Sequence, residues 1–368
     1  MQKKIQLECI LFEFCLDIWT TFSTFVAKNI RNMEVDAYDA LKKSVSKGAH
    51  GKYCAKMIMS EEPSDQVRYL QFLIDVSNAV IAHSSLQYSK VCIDHDALTL
   101  LKMMSSKLSI IKRIVQEPVL TFDGILGDNM VSHKIIDHVT LYAVIRTLFE
   151  SLCVYELLYV FPKTKEEKEL VYHLYQLAGA SDQYSIIPQK EQYKEEIKIL
   201  AEEKLLHGKF IKETNIYEDG KNKIVLDKCI KDGKFNVWVE NGVVILSQGY
   251  KGVIEHVGFN PNYIQGIYKF LCLNSHQTSV AVIQFHEACE MFNPDAKQLI
   301  INATRLAINL ASVFIVDFIM NQPEQVSVYN AMEDHVKYLV DAPNALLRGR
   351  EYSVVNYCEE FKTEQLQK

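Results

Sequence analysis

A chain of 368 residues that is 48% hydrophobic and 23% charged has ample apolar surface for a large globular core. Its 40 Lys and Arg against 46 Asp and Glu leave a net charge of −6, and only seven of the basic residues are Arg. That balance excludes a broad basic surface of the kind a phosphate backbone needs, so nucleic-acid binding is disfavoured except through a local patch.

The N-terminal run "MQKKIQLECILFEFCLDIW" resembles a signal peptide only at first sight, because Glu8, Glu13 and Asp17 interrupt its apolar stretch; it reads as a first packed helix. Apolar residues then recur at three- and four-residue spacing through most of the chain. They predict helices over 4–31, 34–46, 64–83, 95–116, 132–161, 164–178, 189–206, 250–257, 261–290, 294–320 and 324–340. Asn260-Pro261 and Asn293-Pro294 mark two helix starts, with Asn as cap and Pro at the first helical position. One stretch departs from the helical period. "KFNVWVENGVVILSQ" places β-branched and aromatic residues on both sides of Asn241-Gly242, which predicts a tight hairpin, and with "NKIVLDKC" before it gives a small β element around 223–248.

The fold expected is therefore mainly α: a multi-helix bundle forming a single extended helical domain over 1–368, with a small β-containing insertion at 208–250 and a loose C-terminal tail at 350–368. The longest apolar segment, Val139 to Phe161, approaches membrane-spanning length. Arg146, Glu150 and Glu156 within it would be costly in lipid, so no membrane partner is expected. The nine cysteines are odd in number and contain no Cys-x-x-Cys pair, which suits reduced thiols in a cytoplasmic protein better than a disulfide framework.

Three polar stripes on apolar helices carry the candidate chemistry. Arg146 and Glu150 lie four residues apart and share a helix face, so they form either an internal ion pair or an anion site with an acid or base beside it. Tyr268, Cys272, Ser275, His276 and Ser279 fall along one side of "IYKFLCLNSHQTSVAV", where His276 is a candidate proton-transfer group among hydroxyls or a satisfied core histidine. Asn302, Arg305, Asn309 and Ser312 make the third stripe. If the three helices face one another, Arg146, Glu150, His276 and Arg305 meet in one interior site.

Metal and cofactor signals are weak. "HEACE" offers His286, Glu287 and Glu290, but a helical metalloprotease would need a second His where Glu290 stands. His133 and His138 diverge around a helix, Asp94-His95-Asp96 reads as a helix start, and repeated Glu-x-x-His pairs are absent. There is no phosphate-binding loop, dinucleotide fingerprint or nucleophile elbow either, so neither a metal nor a cofactor is expected.

The run Trp238 to Ser279, together with the helix Ile145 to Val160, resembles a family of uncharacterised bacterial helical proteins. That family combines an Arg-x-x-x-Glu core helix, a Trp-containing segment, a short helix ending in Gly, and a helix with Tyr and a Ser-His pair. Arg146, Glu150, Trp238, Gly258, Tyr268, Ser275, His276 and Ser279 match the pattern, and Cys272 stands where the family more often has Ser. The helical shape is also loosely similar to the higher eukaryotes and prokaryotes nucleotide-binding class. That class carries an Arg followed four to six residues later by His, a spacing absent from this sequence.

The family supplies no settled function, and the function expected is that of a non-catalytic binding or regulatory component of a bacterial stress or phage-defence system, with a small ligand or a protein partner, and with self-association into a homo-oligomer as a further option. The polar site expected comprises His276, Arg146 and Glu150, lined by Tyr268, Ser275, Ser279, Arg305 and Trp238. The alternative is a hydrolase or ribonuclease-like toxin in which His276 moves a proton and Arg146 or Arg305 stabilises phosphate charge.

Overall fold

The computed structural model describes residues 57–58, 60–87, 92–117, 120–126, 129–247, 249–259, 264, 266–276, 278–289 and 294–354. The helices expected at 4–31 and 34–46, the caps Asn260 and Asn293, and the tail after Val354 lie outside the described residues. The chain is a mainly α, multi-helix protein that divides into two compact units. Unit 1 takes in Leu98–Ser151 and Gly258–Lys368 together with the N-terminal part; unit 2 comprises Ser89–Ala97 and Leu152–Val257.

Unit 1 contains α1 (Pro63–Gln87), most of α2 (Cys92–Gln116), a hairpin of β1 (Leu120–Leu126) and β2 (Asn129–Ile135), and the first part of α3 (His138–Tyr155). It continues through α9 (Ile267–Ser275), α10 (Ser279–Cys289), α11 (Pro294–Asn321), α12 (Pro323–Ala331) and α13 (Asp334–Arg348). The core of the unit lies along α11, where Ala307, Leu310, Ala311, Phe314 and Phe318 are wholly buried and where α1, α12 and α13 pack. Burial of each large apolar side chain there contributes about 1.5–3 kcal/mol. Among the described residues this is the one helix long and apolar enough to cross a membrane, and 83% of its most apolar window is buried inside the protein. An ion pair seals its C-terminal end: Arg348 Nη1 lies 2.6 Å from Asp317 Oδ2, with both side chains buried.

Helix α13 carries Pro343 in its interior, and proline has no N–H to offer the carbonyl of residue 339. The Tyr69 hydroxyl from α1 donates to that Leu339 carbonyl at 2.6 Å, so a buried acceptor left by the proline finds its partner across the helix interface. The segment after α13 is docked as far as Val354. Asp341 accepts from the Ser353 hydroxyl and from Val354 N, and Asn344 Nδ2 donates to the Tyr352 carbonyl.

Unit 2 begins with the end of α3 and the π-helical turn Glu156–Val160, then α4 (Lys165–Ile186) and α5 (Lys194–Lys212). There follow α6 (Asn215–Glu218), α7 (Gly220–Asp232), the hairpin of β3 (Val237–Glu240) and β4 (Val243–Leu246), and α8 (Tyr250–His256). Thr164 and Glu167 form a capping box at the start of α4, and Glu167 also accepts from Gly242 N at 2.7 Å. Burial opposes the charge on Glu167, but the backbone N–H groups of Thr164, Gly242 and Lys163 outweigh it and hold its carboxyl below the ordinary range. Asn222 fixes the other side of the same hairpin, accepting from Val244 N and donating to the Gly242 carbonyl. The turn itself uses Asn241 at φ 51° and Gly242 at φ 75°, the two left-handed residues that a tight hairpin requires.

Four expectations change. Residues 129–135 form the second strand of a hairpin missed in the sequence, so the helix read over 132–161 starts at His138 and ends in the π turn. "NKIVLDKC" belongs to α7 and not to the β element, because the Asp219 side chain caps the N-terminus and Gly233, at φ 61°, closes the C-terminus. The span 261–290 is broken between α9 and α10. The span 324–340 is two helices, α12 and α13, separated at Met332 and Glu333.

Candidate functional site

The candidate site is built within unit 1, where α3 meets α9. Aromatic contacts set the two helices against each other: Tyr142 meets Phe270 edge-on at 4.9 Å, and Phe149 lies 5.6 Å from Tyr268. On this seam Arg146 Nε donates to Glu150 Oε1 at 2.9 Å, and the Tyr268 hydroxyl donates to the same oxygen at 3.0 Å. The pair is neither dry nor fully wet, with side-chain exposures of 22% and 24%.

Arg146 Nη1 stands 2.8 Å from His276 Nε2. A guanidinium can only donate, so Nε2 must be the acceptor, and the imidazole in this contact is neutral with its proton on Nδ1. His276 is exposed and sits at the C-terminal cap of α9, with φ −110° and ψ 17°. The Ser275 hydroxyl bonds back to the Leu271 carbonyl and the Thr278 hydroxyl to the Leu273 carbonyl, competing with helix continuation at this point. The break falls after His276, which as the cap residue keeps the four-residue spacing of Tyr268 and Cys272 toward Arg146.

Lys107 of α2 completes the charge arrangement. Its ammonium donates to Ser151 Oγ at 2.9 Å, one residue beyond Glu150. Burial lowers its tendency to carry charge, and the Glu150 carboxylate opposes that effect. For Arg146 the balance runs the other way. Partial desolvation disfavours the cation, but the adjacent Glu150 charge and hydrogen bond outweigh it and raise its affinity for the proton. Burial first, then the Glu150 charge and the neighbouring Cys272, push the Tyr268 phenol well above its usual range, so it serves as a hydrogen-bond donor.

The structure thus gathers Arg146, Glu150, Tyr268 and His276, with Cys272 beside Tyr268. It places the other expected residues elsewhere. Ser275 is engaged with its own helix, and Ser279 is an exposed first residue of α10. Arg305 is buried on α11, where Nη2 donates to the Ser60 carbonyl at 3.3 Å. Trp238 lies in β3 of unit 2, buried with its ring 4.8 Å from His256 and 6.4 Å from Phe161.

Lys107 went unnoticed in the sequence, where nothing on the amphipathic α2 distinguishes it from the exposed lysines. His133 is on a strand, not a helix, and His286 is exposed. Among the described residues, no group of three or more His, Cys, Asp and Glu is gathered in a geometry that holds a metal ion. Comparison with protein-family models, with curated proteins and with solved structures finds no match to this chain.

Proposed function

We propose that the protein is a helical binding protein whose Arg146–Glu150–Tyr268–His276 quartet takes a small anionic ligand, phosphate or carboxylate in class, as a regulatory or sensing component. One observation carries this reading: Arg146 is held by Glu150 from behind and presents Nη1 outward to an exposed imidazole at 2.8 Å. An incoming anion can replace the neutral acceptor His276 on the guanidinium with a bond in which donor and acceptor are both ions, which is the stronger of the two. Lys107 adds a second cation close to the same carboxylate, leaving the cluster of Arg146, Lys107 and Glu150 with a formal excess of positive charge.

The same geometry argues against His276 as a general base. Its Nε2 lone pair is occupied by a donor that never gives up its charge, and a base needs that lone pair directed at a substrate proton.

The test is thermal unfolding in inorganic phosphate against matched chloride at constant ionic strength. For a dissociation constant near 1 mM, 10 mM phosphate stabilises by about 1.4 kcal/mol, which for a chain of this length raises the midpoint by about 2 °C. The rise is expected to vanish in Arg146→Gln and to be kept or enlarged in His276→Gln, which removes the imidazole that competes with the anion for Nη1. An equal rise in all three proteins would remove the quartet from consideration. Phosphate-ester hydrolysis that the parent performs and His276→Gln does not would favour the enzymatic alternative.

A further inference from the structure

We propose that His173 and His207, in unit 2 and independent of the quartet, form a clasp for one divalent transition-metal ion between α4 and α5. These helices run antiparallel, since Lys204 reaches the ring of Tyr184 while the later His207 reaches the earlier His173. The two Nδ1 atoms lie 3.0 Å apart across the helix pair. A metal ion that holds two imidazole nitrogens at about 2.0–2.1 Å each sets those nitrogens roughly 3.0–3.4 Å from each other in cis or tetrahedral positions. The two side chains already hold that separation, so binding asks the rings only to turn until both lone pairs aim at one point.

Phe210 lies flat on the His173 ring, with centroids 4.6 Å apart and planes 9° from parallel, which favours the present ring plane for that ligand. Without metal, one Nδ1–H donates to the other Nδ1. On binding, that proton moves to Nε2 of its own ring and the ion takes its place, so no net charge beyond the metal's enters the contact.

Carboxylates are placed to complete the shell. Glu169 and Glu203 each precede a histidine by four residues, one helical turn along the same face, and each acts electrostatically on its own histidine. Because the helices are antiparallel, the two carboxylates flank the histidine pair from opposite ends. Glu169 is held only by an exposed pair with Lys165 at 3.6 Å, so swinging it inward costs little. They are not yet gathered around the histidines, which leaves a two-histidine anchor whose remaining positions go to Glu169, Glu203 or water. Imidazole with carboxylate is a donor set for zinc, nickel, cobalt or copper rather than for magnesium or calcium.

The test is titration of the full-length, chelator-treated protein with Co(II), read by visible d–d absorption and by thermal midpoint. One equivalent is expected to bind in the micromolar range, to raise the midpoint, and to show no thiolate charge-transfer band. His207→Gln should lose both signals, and Glu203→Gln should weaken binding tenfold or more. X-ray absorption on the parent, which needs no variant to fold, should show two imidazoles and no sulfur on the metal. Absence of binding, binding that survives His207→Gln, or sulfur in the shell would each overturn the assignment.

Discussion

Replacing Glu150 by Gln should move stability and anion affinity in opposite directions. The amide keeps the size of the carboxylate and an oxygen that can accept from both Arg146 and Tyr268, so the geometry of the seam survives. What disappears is the negative charge. A hydrogen bond between two ions becomes one from the Arg146 cation to a neutral acceptor, a difference of about 1 kcal/mol; the side chains are about one-fifth to one-quarter exposed, so solvent recovers part of it and a net loss of about 0.5–1 kcal/mol is expected. For an anion on Arg146's outer face the same change removes a repulsive charge, taken at a separation of about 6 Å in Coulomb's law. At an effective dielectric of about 40–80 this is worth about 0.7–1.4 kcal/mol, or a three- to tenfold gain in affinity. Chemical denaturation gives the first quantity and phosphate titration by calorimetry the second. If Glu150→Gln lowers stability and affinity together, Glu150 is itself part of the ligand contact; if it raises stability, the carboxylate is not the anchor of Arg146.

Other expectations are independent of the ligand. Tyr69→Phe should cost about 1–3 kcal/mol by leaving the buried Leu339 carbonyl without its donor, and Pro343→Ala, which restores an N–H one turn beyond it, should recover part of that cost in the double variant; additive effects in denaturant melts would disprove the pairing. Burial lowers the His138 value, with Asp137 opposing, so the unfolded chain binds its proton first as pH falls. The His138 contribution to stability is therefore intact above about pH 6.5 and declines below it. Melting curves at pH 7.5 and 5.5 should show a smaller pH loss in His138→Phe, which keeps a ring against Phe285, and an unchanged loss would dissociate His138 from the effect. Asn222→Ala leaves Val244 N without its acceptor and should loosen the β3–β4 hairpin, visible as faster amide exchange at Val244 with α1 unaffected.

Long helices with an unbroken apolar period were legible from the sequence. Helix α11 was expected at 294–320 and spans Pro294–Asn321, and α1 and α2 were placed within a few residues at each end. The hairpin turn at Asn241-Gly242 was legible because two adjacent positive φ values admit few residue pairs. The β1–β2 hairpin was not, since the long apolar run that follows it draws any periodicity reading backward across β2. "NKIVLDKC" has β-branched residues, but a single Asp cap and a Gly stop decided for helix, a tertiary and capping effect that propensity cannot weigh. At the site, the four-residue spacing of Arg146 and Glu150 was readable directly. The stripe of Tyr268, Cys272 and His276 was readable too: at four-residue intervals along α9 and its C-terminal cap these residues reach the same arginine and glutamate, and only Ser279, past the break, falls away from it.

The end of α9 also decides what the site is suited to do. Tyr268, Cys272 and His276 follow one another at four-residue spacing toward Arg146 and Glu150, and the helix stops at His276. Ser275 and Thr278 satisfy carbonyls of the last turn, and the cap residue brings a polar ring to the outer side of a guanidinium whose inner side is already fixed. A catalytic pair would need the histidine oriented by an acceptor on Nδ1 and its Nε2 open to substrate. Here Nε2 is the end that the protein itself occupies. An arginine anchored by a carboxylate and capped by a displaceable neutral acceptor is an arrangement for exchange of one acceptor for a more strongly charged one, which is what anion binding requires.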